Sequence, residues 1–466
     1  MRMRSALSLT ALLLAGCSLA PRYERGAAPV PPAWPTGNAY AGDYANLPSA
    51  SYRDLFRDDG LQKLIALALE NNRDVRQAAA NIERARAQFR IQRAELFPQL
   101  DANAGLTRGS AVSSAPATTS TSASLSIPSY EIDLFGRIRS LTDAARNSYF
   151  ASQSDAQAVK LALIGDIATA WLTYAADKSR LDLSAATIVT AQKTVDLTQA
   201  RLSGGVAPRT DLRQAQTILA TAQSDLARYT TAIAQDRNLI ELLVGAPIDP
   251  ALLPSSIETA NERIAAPASG MSSEVLLRRP DVMAAEYNLR AANAQIGAAR
   301  AALFPRLTLG GLIGLIGPSL EGLFGNAGQD VSQGTASATY PIFQAGAGRA
   351  NVAASKAQRD AVLAAYEKAI QTAYREVADA LARQGTMTDQ INADRLRTTA
   401  AQDAYTLSDA RYRGGVDSFL QALDAQRSAY AAQNTLVATL LTAATNRVTL
   451  YRALGGEAAG EPAGAN

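Results

Sequence analysis

One thiol is all the soft-nucleophile chemistry this sequence holds: Cys17 is its only cysteine, and it has no histidine. That removes the usual zinc, copper and haem ligand sets, most nucleophile–base catalytic arrangements, and any intrachain disulfide. No phosphate loop occurs either, so the chain has no ATP site of its own. What remains is the Cys17 thiol itself and, among many charged residues, three that follow the turn Gly414-Gly415-Val416: Asp417, Asp424 and Arg427. Asp424 and Arg427 stand three apart, and their plain reading is an ion pair on a solvated helix worth a few tenths of a kcal/mol. Asp417 reads most plainly as the N-cap of the helix after Val416, and Ser418 with Gln421 could equally form a capping box.

Arg2 and Arg4 precede an apolar stretch from Ala6 to Leu14, the layout of a secretory signal and too short to span a bilayer as a mature helix. Leu14-Ala15-Gly16-Cys17 resembles the bacterial lipoprotein signal, with small residues where the lipoprotein peptidase needs them. The resemblance implies cleavage after residue 16 and a diacylglycerol plus an N-acyl chain on Cys17. Several acyl chains anchor stably, at about 0.8 kcal/mol per buried methylene. Ser18 stands where many inner-membrane lipoproteins carry aspartate, so the resemblance points to the outer membrane. The alternative is an ordinary signal peptide with Cys17 incidental. Formal charge is +3, and loss of Arg2 and Arg4 leaves +1, which gives no reason to expect nucleic acid. Hydrophobic residues make up 47% but aromatics only 6%, a profile that suits long, closely packed helices.

The chain is written twice. "DVRQAAANIERARAQFRIQRAELFPQL" from Asp74 aligns without gaps on "DVMAAEYNLRAANAQIGAARAALFPRL" from Asp281, and "RLSGGV" from Arg201 aligns on "RYRGGV" from Arg411. Each copy reads as a helix ending at Leu-Phe-Pro, two strand-like segments, a very long helix to a Gly-Gly-Val turn, and a returning helix. The long stretch Arg137 to Ser203 has 67 residues and would extend on the order of 100 Å. A helix of that length needs lateral partners. The returning helices supply coiled-coil seams: Leu212, Ala215, Leu219, Ala222, Leu226, Tyr229, Ile233, Ile240 and Leu243, broken at Asp236, and then Leu420, Leu423, Tyr430, Val437, Leu441 and Val448, broken at Arg427 and Asn434. The uncharged run from Ser428 to Asn446 carries Gln, Asn and Thr, which argues against a membrane-spanning helix.

The strand segments, about 98–108, 121–133, 305–316 and 333–343, show apolar–polar alternation. Leu100, Ala102, Ala104 and Leu106 oppose Gln99, Asp101, Asn103 and Thr107, while Ala336, Ala338, Tyr340 and Ile342 oppose Thr335, Ser337 and Thr339. That is the pattern of a membrane β-barrel with a wet interior. Pro128 interrupts the second segment and marks a bulge or an edge; "LTLGGLIGLIG" alternates least and could be a buried strand. Such barrels start at eight strands, so four per chain require oligomerisation, and three copies supply twelve.

These features resemble the outer membrane factor family, the TolC and NodT group, and within it the lipidated OprM-type efflux members. The resemblance rests on Cys17, "YEIDLFGRIR" from Tyr130, "YPIFQAGAGR" from Tyr340, the paired Leu-Phe-Pro and "ARYRGGVDSFLQALDAQRS" from Ala410. It implies a mixed α and β membrane protein, a homotrimer whose twelve-stranded outer-membrane β-barrel continues into an α-helical coiled-coil barrel through the periplasm. A periplasmic adaptor and an inner-membrane pump of RND type would dock on it. The tips Gly204-Gly205-Val206 and Gly414-Gly415-Val416 would meet the adaptor. Leu420, Asp424 and Arg427 would form the periplasmic gate, with Asp417 beside them; their first-copy counterparts, Thr210, Gln214 and Thr217, lack the charges. A signal peptide at 1–16, a lipidated and equatorial segment at 17–60, repeats at 61–245 and 273–455, a linker at 246–272 and a tail at 456–466 complete the layout. The function implied is a passive exit duct for drugs, metals or other small molecules, not an enzyme and without a cofactor. A protein-secretion duct and a pore-less structural coiled-coil lipoprotein are the competing readings.

Overall fold

Each half of the chain folds to the same plan. The computed structural model describes residues 19–40, 51–109, 118–265, 273–323, 325 and 327–456. Cys17 and the leader lie outside the described residues, as do 266–272 of the linker and 457–466 of the tail. The first half comprises α1 (Asp59–Asn71), α2 (Arg73–Ala94), β1 (Asp101–Gly109), β2 (Thr118–Ile132), α3 (Arg137–Ser203) and α4 (Arg209–Val244). The second comprises α5 (Pro280–Ala301), β3 (Arg306–Gly317), β4 (Gln329–Thr339), α6 (Ala347–Arg413) and α7 (Phe419–Ala453). Both α3 and α6 run for 67 residues.

The described residues divide between two compact units, drawn from Met1–Ala27, Ala80–Ser154 and Met283–Lys368, and from Ala28–Ala79, Asp155–Val282 and Ala369–Asn466. The first holds a four-stranded antiparallel sheet in the order β1-β2-β3-β4. Its register puts Ala104, Ala123 and Leu315 in one row and Ala102, Leu125 and Ile313 in the next, on one face. Leu106 and Ile313 there are 72% and 63% exposed, which a water-soluble sheet would not favour. The opposite face carries Asp101, Asn103, Ser122, Ser124 and Ser126, and Asn103 donates to Ser126 at 2.9 Å. Pro128 makes a bulge and not an edge: β2 is interior, and its register slips between Ile127 and Tyr130 opposite Gly310. A Cβ at Gly310 would sit 3.1 Å from the Pro128 carbonyl, so glycine admits the bulge. β3 is likewise an interior strand, with Leu312 and Ile316 on the otherwise polar face.

β4 departs most from expectation. It begins at Gln329 and ends at Thr339, leaving Tyr340 and Ile342 outside the strand. Pro341 has no N–H for a ladder, so pairing stops there. The motif "YEIDLFGRIR" builds the junction between β2 and α3. Arg137 donates to both Glu131 oxygens at 2.8 and 2.7 Å, the Arg139 backbone N–H donates to Asp133 at 2.8 Å, and Gly136 turns at φ 75°. Phe135 stacks on Phe304 at 4.7 Å between centroids.

The repeats differ in burial. α5 buries Val282, Leu289, Ile296 and several alanines, whereas α2 buries no residue. The N-terminal segment accounts for part of this. Leu19 and Pro21 carbonyls accept from Arg300 (3.1 Å) and Asn293 (2.7 Å), and Arg25 grips Glu286 at 2.6 and 3.1 Å. Burial would raise the Glu286 pKa, but its bonds from Arg25 and Arg290 outweigh that and lower it.

The second unit has the thicker core. Leu61, Leu64 and Ile65 of α1 pack with Ile167, Trp171 and Leu172 of α3, Ile240 and Val244 of α4, and Leu440, Ala444 and Val448 of α7. Each large buried aliphatic side chain contributes about 1.5–3 kcal/mol. α3 contains a stretch apolar enough to cross a membrane, but half of it is buried in the protein. The α4 seam is completed only in part: Leu212, Ala215, Ala222 and Ile240 are buried, while Leu219, Leu226, Tyr229, Ile233 and Leu243 remain half-buried. At the break, Asp236 keeps one buried carboxylate oxygen without a partner. Burial, with the nearby Asp177 charge, pushes its pKa up to about 6.

Candidate functional site

The hairpin tips lie in the second unit, and the two are built alike. At the end of α3 the Gly205 N–H donates to the Leu202 carbonyl (3.0 Å) and the Val206 N–H to the Arg201 carbonyl (2.9 Å); at the end of α6 Gly415 and Val416 do the same to Tyr412 and Arg411. These paired bonds are a Schellman closure, which needs a left-handed residue. Gly205 and Gly415 supply it at φ 72° and 75°, and no atom would obstruct a Cβ at either, so the requirement is purely conformational. Gly204 and Gly414 still belong to the helix ends, their N–H groups bonding Ala200 and Ala410. Val206 and Val416 are left 76% and 67% exposed at the tips.

The two tips differ in what their arginines hold. Arg201 reaches from the first hairpin to the second: its Nη2 donates to the Tyr412 and Arg413 carbonyls at 3.2 and 3.3 Å, and its guanidinium lies 4.3 Å from the Tyr412 ring centroid. A cation suits carbonyls at a helix C-terminus, and the Tyr412 carbonyl, which already accepts the Gly415 N–H, has a second lone pair for it. Arg411, at the equivalent position, instead forks onto Asp417 at 2.7 and 2.8 Å. That bond holds the Asp417 carboxyl below its usual range. Asp417 is therefore not an N-cap. Ser418 occupies the N-cap of α7 but makes no side-chain capping bond, so the capping box is not formed either.

Just beyond, Tyr412, Phe419, Ala422 and Leu423 form a small core with Ala215 of α4. Leu420 does not join the seam its spacing suggested; it is 54% exposed. Asp424 and Arg427 are exposed too, and among the described residues the expected ion pair between them is absent. At positions i, i+4 and i+7 the three side chains share one face of α7. A cavity of about 320 Å³ brings Leu420 and Arg427 together with Gln214 and Thr217, the first-copy counterparts of Asp424 and Arg427. Gln426 lines the same cavity with its buried Nε2 unpartnered, and deeper along α7 Tyr430 donates to Asp225 at 2.7 Å. Among the described residues no three histidine, cysteine or carboxylate side chains gather as a metal site. Sequence reasoning missed Arg201, Arg411 and Tyr412; the available signal was an arginine at the same place in both copies of the tip motif.

The outer membrane efflux protein family matches twice, over residues 64–246 and 271–456. The chain is 41% identical to the solvent efflux pump outer membrane protein SrpC of Pseudomonas putida over 465 residues, covering 98% of each chain. It is 41% identical to the antibiotic efflux pump outer membrane protein ArpC of Pseudomonas putida, covering 97% of this chain and 95% of that one. Its fold is similar to the open state of the MtrE outer membrane channel of Neisseria gonorrhoeae, with a TM-score of 0.85 and 35% identity, over 94% of this chain and 98% of that one. The duplicated plan seen in sequence, sheet and hairpins is thus the plan of a known lineage, and the chain belongs to the outer membrane efflux protein family.

Proposed function

We propose that this outer-membrane efflux protein is the passive exit duct of a tripartite pump, assembled as a homotrimer and gated by Leu420, Asp424 and Arg427. The observation that carries the gate is the exposed face of α7, where an apolar residue, a carboxylate and a guanidinium stand without partners among the described residues. Three copies around an axis would place three such faces together. A carboxylate ring so formed favours cations, and its links to neighbouring helices hold the passage narrow. Energy comes from an inner-membrane RND-type pump through a periplasmic adaptor that meets the exposed Val206 and Val416 tips. The relatives named for solvent and antibiotic efflux suggest small, largely apolar cargo. They also favour efflux over protein secretion.

The reading includes a lipid on Cys17. Its support is the N-terminal segment, which runs along α5 and brings Leu19, two residues from Cys17, to Arg300 at the end of α5 that feeds β3. Apolar side chains exposed on the sheet are consistent with lipid around a closed twelve-stranded barrel, and the unpaired outer edges of β1 and β4 need such closure.

The test is made in cells whose chromosomal copy is deleted. Wild-type protein restores efflux of an apolar dye such as Nile red. Asp424→Ala admits vancomycin, which is too large for ordinary outer-membrane entry. Undiminished efflux in the deletion strain, with no vancomycin entry in the variant, would sink the reading.

A further inference from the structure

The chain repeats, and so does the geometry of its tips, which lets the contact within one chain predict the contact between chains. Arg201 of the first hairpin closes on Tyr412 and Arg413 at the end of α6 in the second. In a closed ring of six alternating hairpins, head-to-tail symmetry assigns Arg411 the same task toward the next copy. Its targets there, by the offset of the repeat, are the carbonyls of Leu202 and Ser203 at the end of α3. In the single chain the Arg411 guanidinium is turned instead onto its own Asp417. Asp417 engages its Nε and Nη2, and Nη2 is the atom that Arg201 uses for its hook. The first copy has Ala207 where the second has Asp417, so Arg201 has no such competitor.

We infer that Asp417 withholds Arg411 from a second copy of this chain, so that the tip ring is hooked within each chain and unhooked between chains, and parts at the seams between subunits. Leu202 in place of Tyr412 weakens the same seam further, since the cation loses its aromatic face. The inference rests on the trimeric channel reading above. It goes beyond that reading by naming which three of six seams open and which residue decides.

Two reciprocal substitutions test it in purified trimers, read by planar-bilayer current and by the temperature at which trimers dissociate in SDS. Asp417→Ala frees Arg411 to hook the neighbour: openings become about tenfold rarer, the scale of one charge-assisted hydrogen bond, and trimers dissociate at higher temperature. Adding Arg411→Ala abolishes both effects. Ala207→Asp supplies the missing competitor to Arg201 and makes openings more frequent. More openings in Asp417→Ala, persistence of its effect without Arg411, or no response to Ala207→Asp would each overturn the inference. Asp424→Ala serves as the control for the channel itself. If it passes current while the tip variants behave as wild type, the tip inference alone fails. If no protein conducts, the dissociation temperatures still decide the tip contact.

Discussion

The duplication sets Asp236 where the second copy carries Asn446, and the two side chains fare differently. Asn446 is buried and donates to the Ala380 carbonyl at 3.0 Å, while Asp236 leaves a buried oxygen unpartnered. Its pKa of about 6, above the ordinary 3.8, means that between those values the native state holds more protons than the unfolded one. Stability therefore falls as pH rises from near 4 through 6, and the cost is complete at neutral pH. The nearby charge of Asp177, which pairs with Arg180 at 2.8 Å, adds to it. Asp236→Asn is expected to stabilise each chain by about 1 kcal/mol at pH 7.5, discounted because the group is partly solvated. Thermal unfolding followed by circular dichroism should show the gain shrinking toward pH 4. A gain of equal size at both pH values would point to packing and not to charge.

Among the elements, the sheet makes the sharpest demand on its residues. A Cβ at Gly314 of β3 would fall 2.4 Å from the Ala123 carbonyl, whereas one at Gly334 of β4 meets nothing. Gly314→Val should break the pairing of β2 with β3 and leave few SDS-resistant trimers on a gel, while Gly334→Val assembles as wild type. Equal assembly of the two would show that β2 and β3 pair differently. Strands of this kind were legible only where one face is polar. β1 announced itself by strict alternation, and Pro128 announced the bulge. The start of β4 was hidden, because Gln329, Asp330, Ser332 and Gln333 offer almost no apolar face, and its end was misplaced by an alternation that runs on past Pro341. The long helices were legible from the repeat and the glycine turns. The hook of Arg201 was not, since it depends on which hairpin stands beside which, and periodicity along one helix carries no record of that. Leu420 fails for the same reason: its 3-4 spacing fits the seam, yet it lies on the exposed face that a single chain leaves uncovered.

At the scale of the whole molecule, what one chain leaves unfinished defines the assembly. Among the described residues the sheet has two open edges, α2 buries nothing, half the α4 seam is half-exposed, and the Leu420, Asp424 and Arg427 face has no partner. Each is a surface that further copies would complete. The central claim is that they enclose a pore whose narrow point is held by Asp424, and single-channel current through the purified trimer in a planar bilayer tests it most directly. Wild-type protein should conduct weakly and prefer cations. Asp424→Ala should raise the current roughly tenfold or more, on the scale of a 1–3 kcal/mol bias on a two-state gate, and lose that preference. Equal currents from both proteins, in trimers that resist SDS, would contradict the claim.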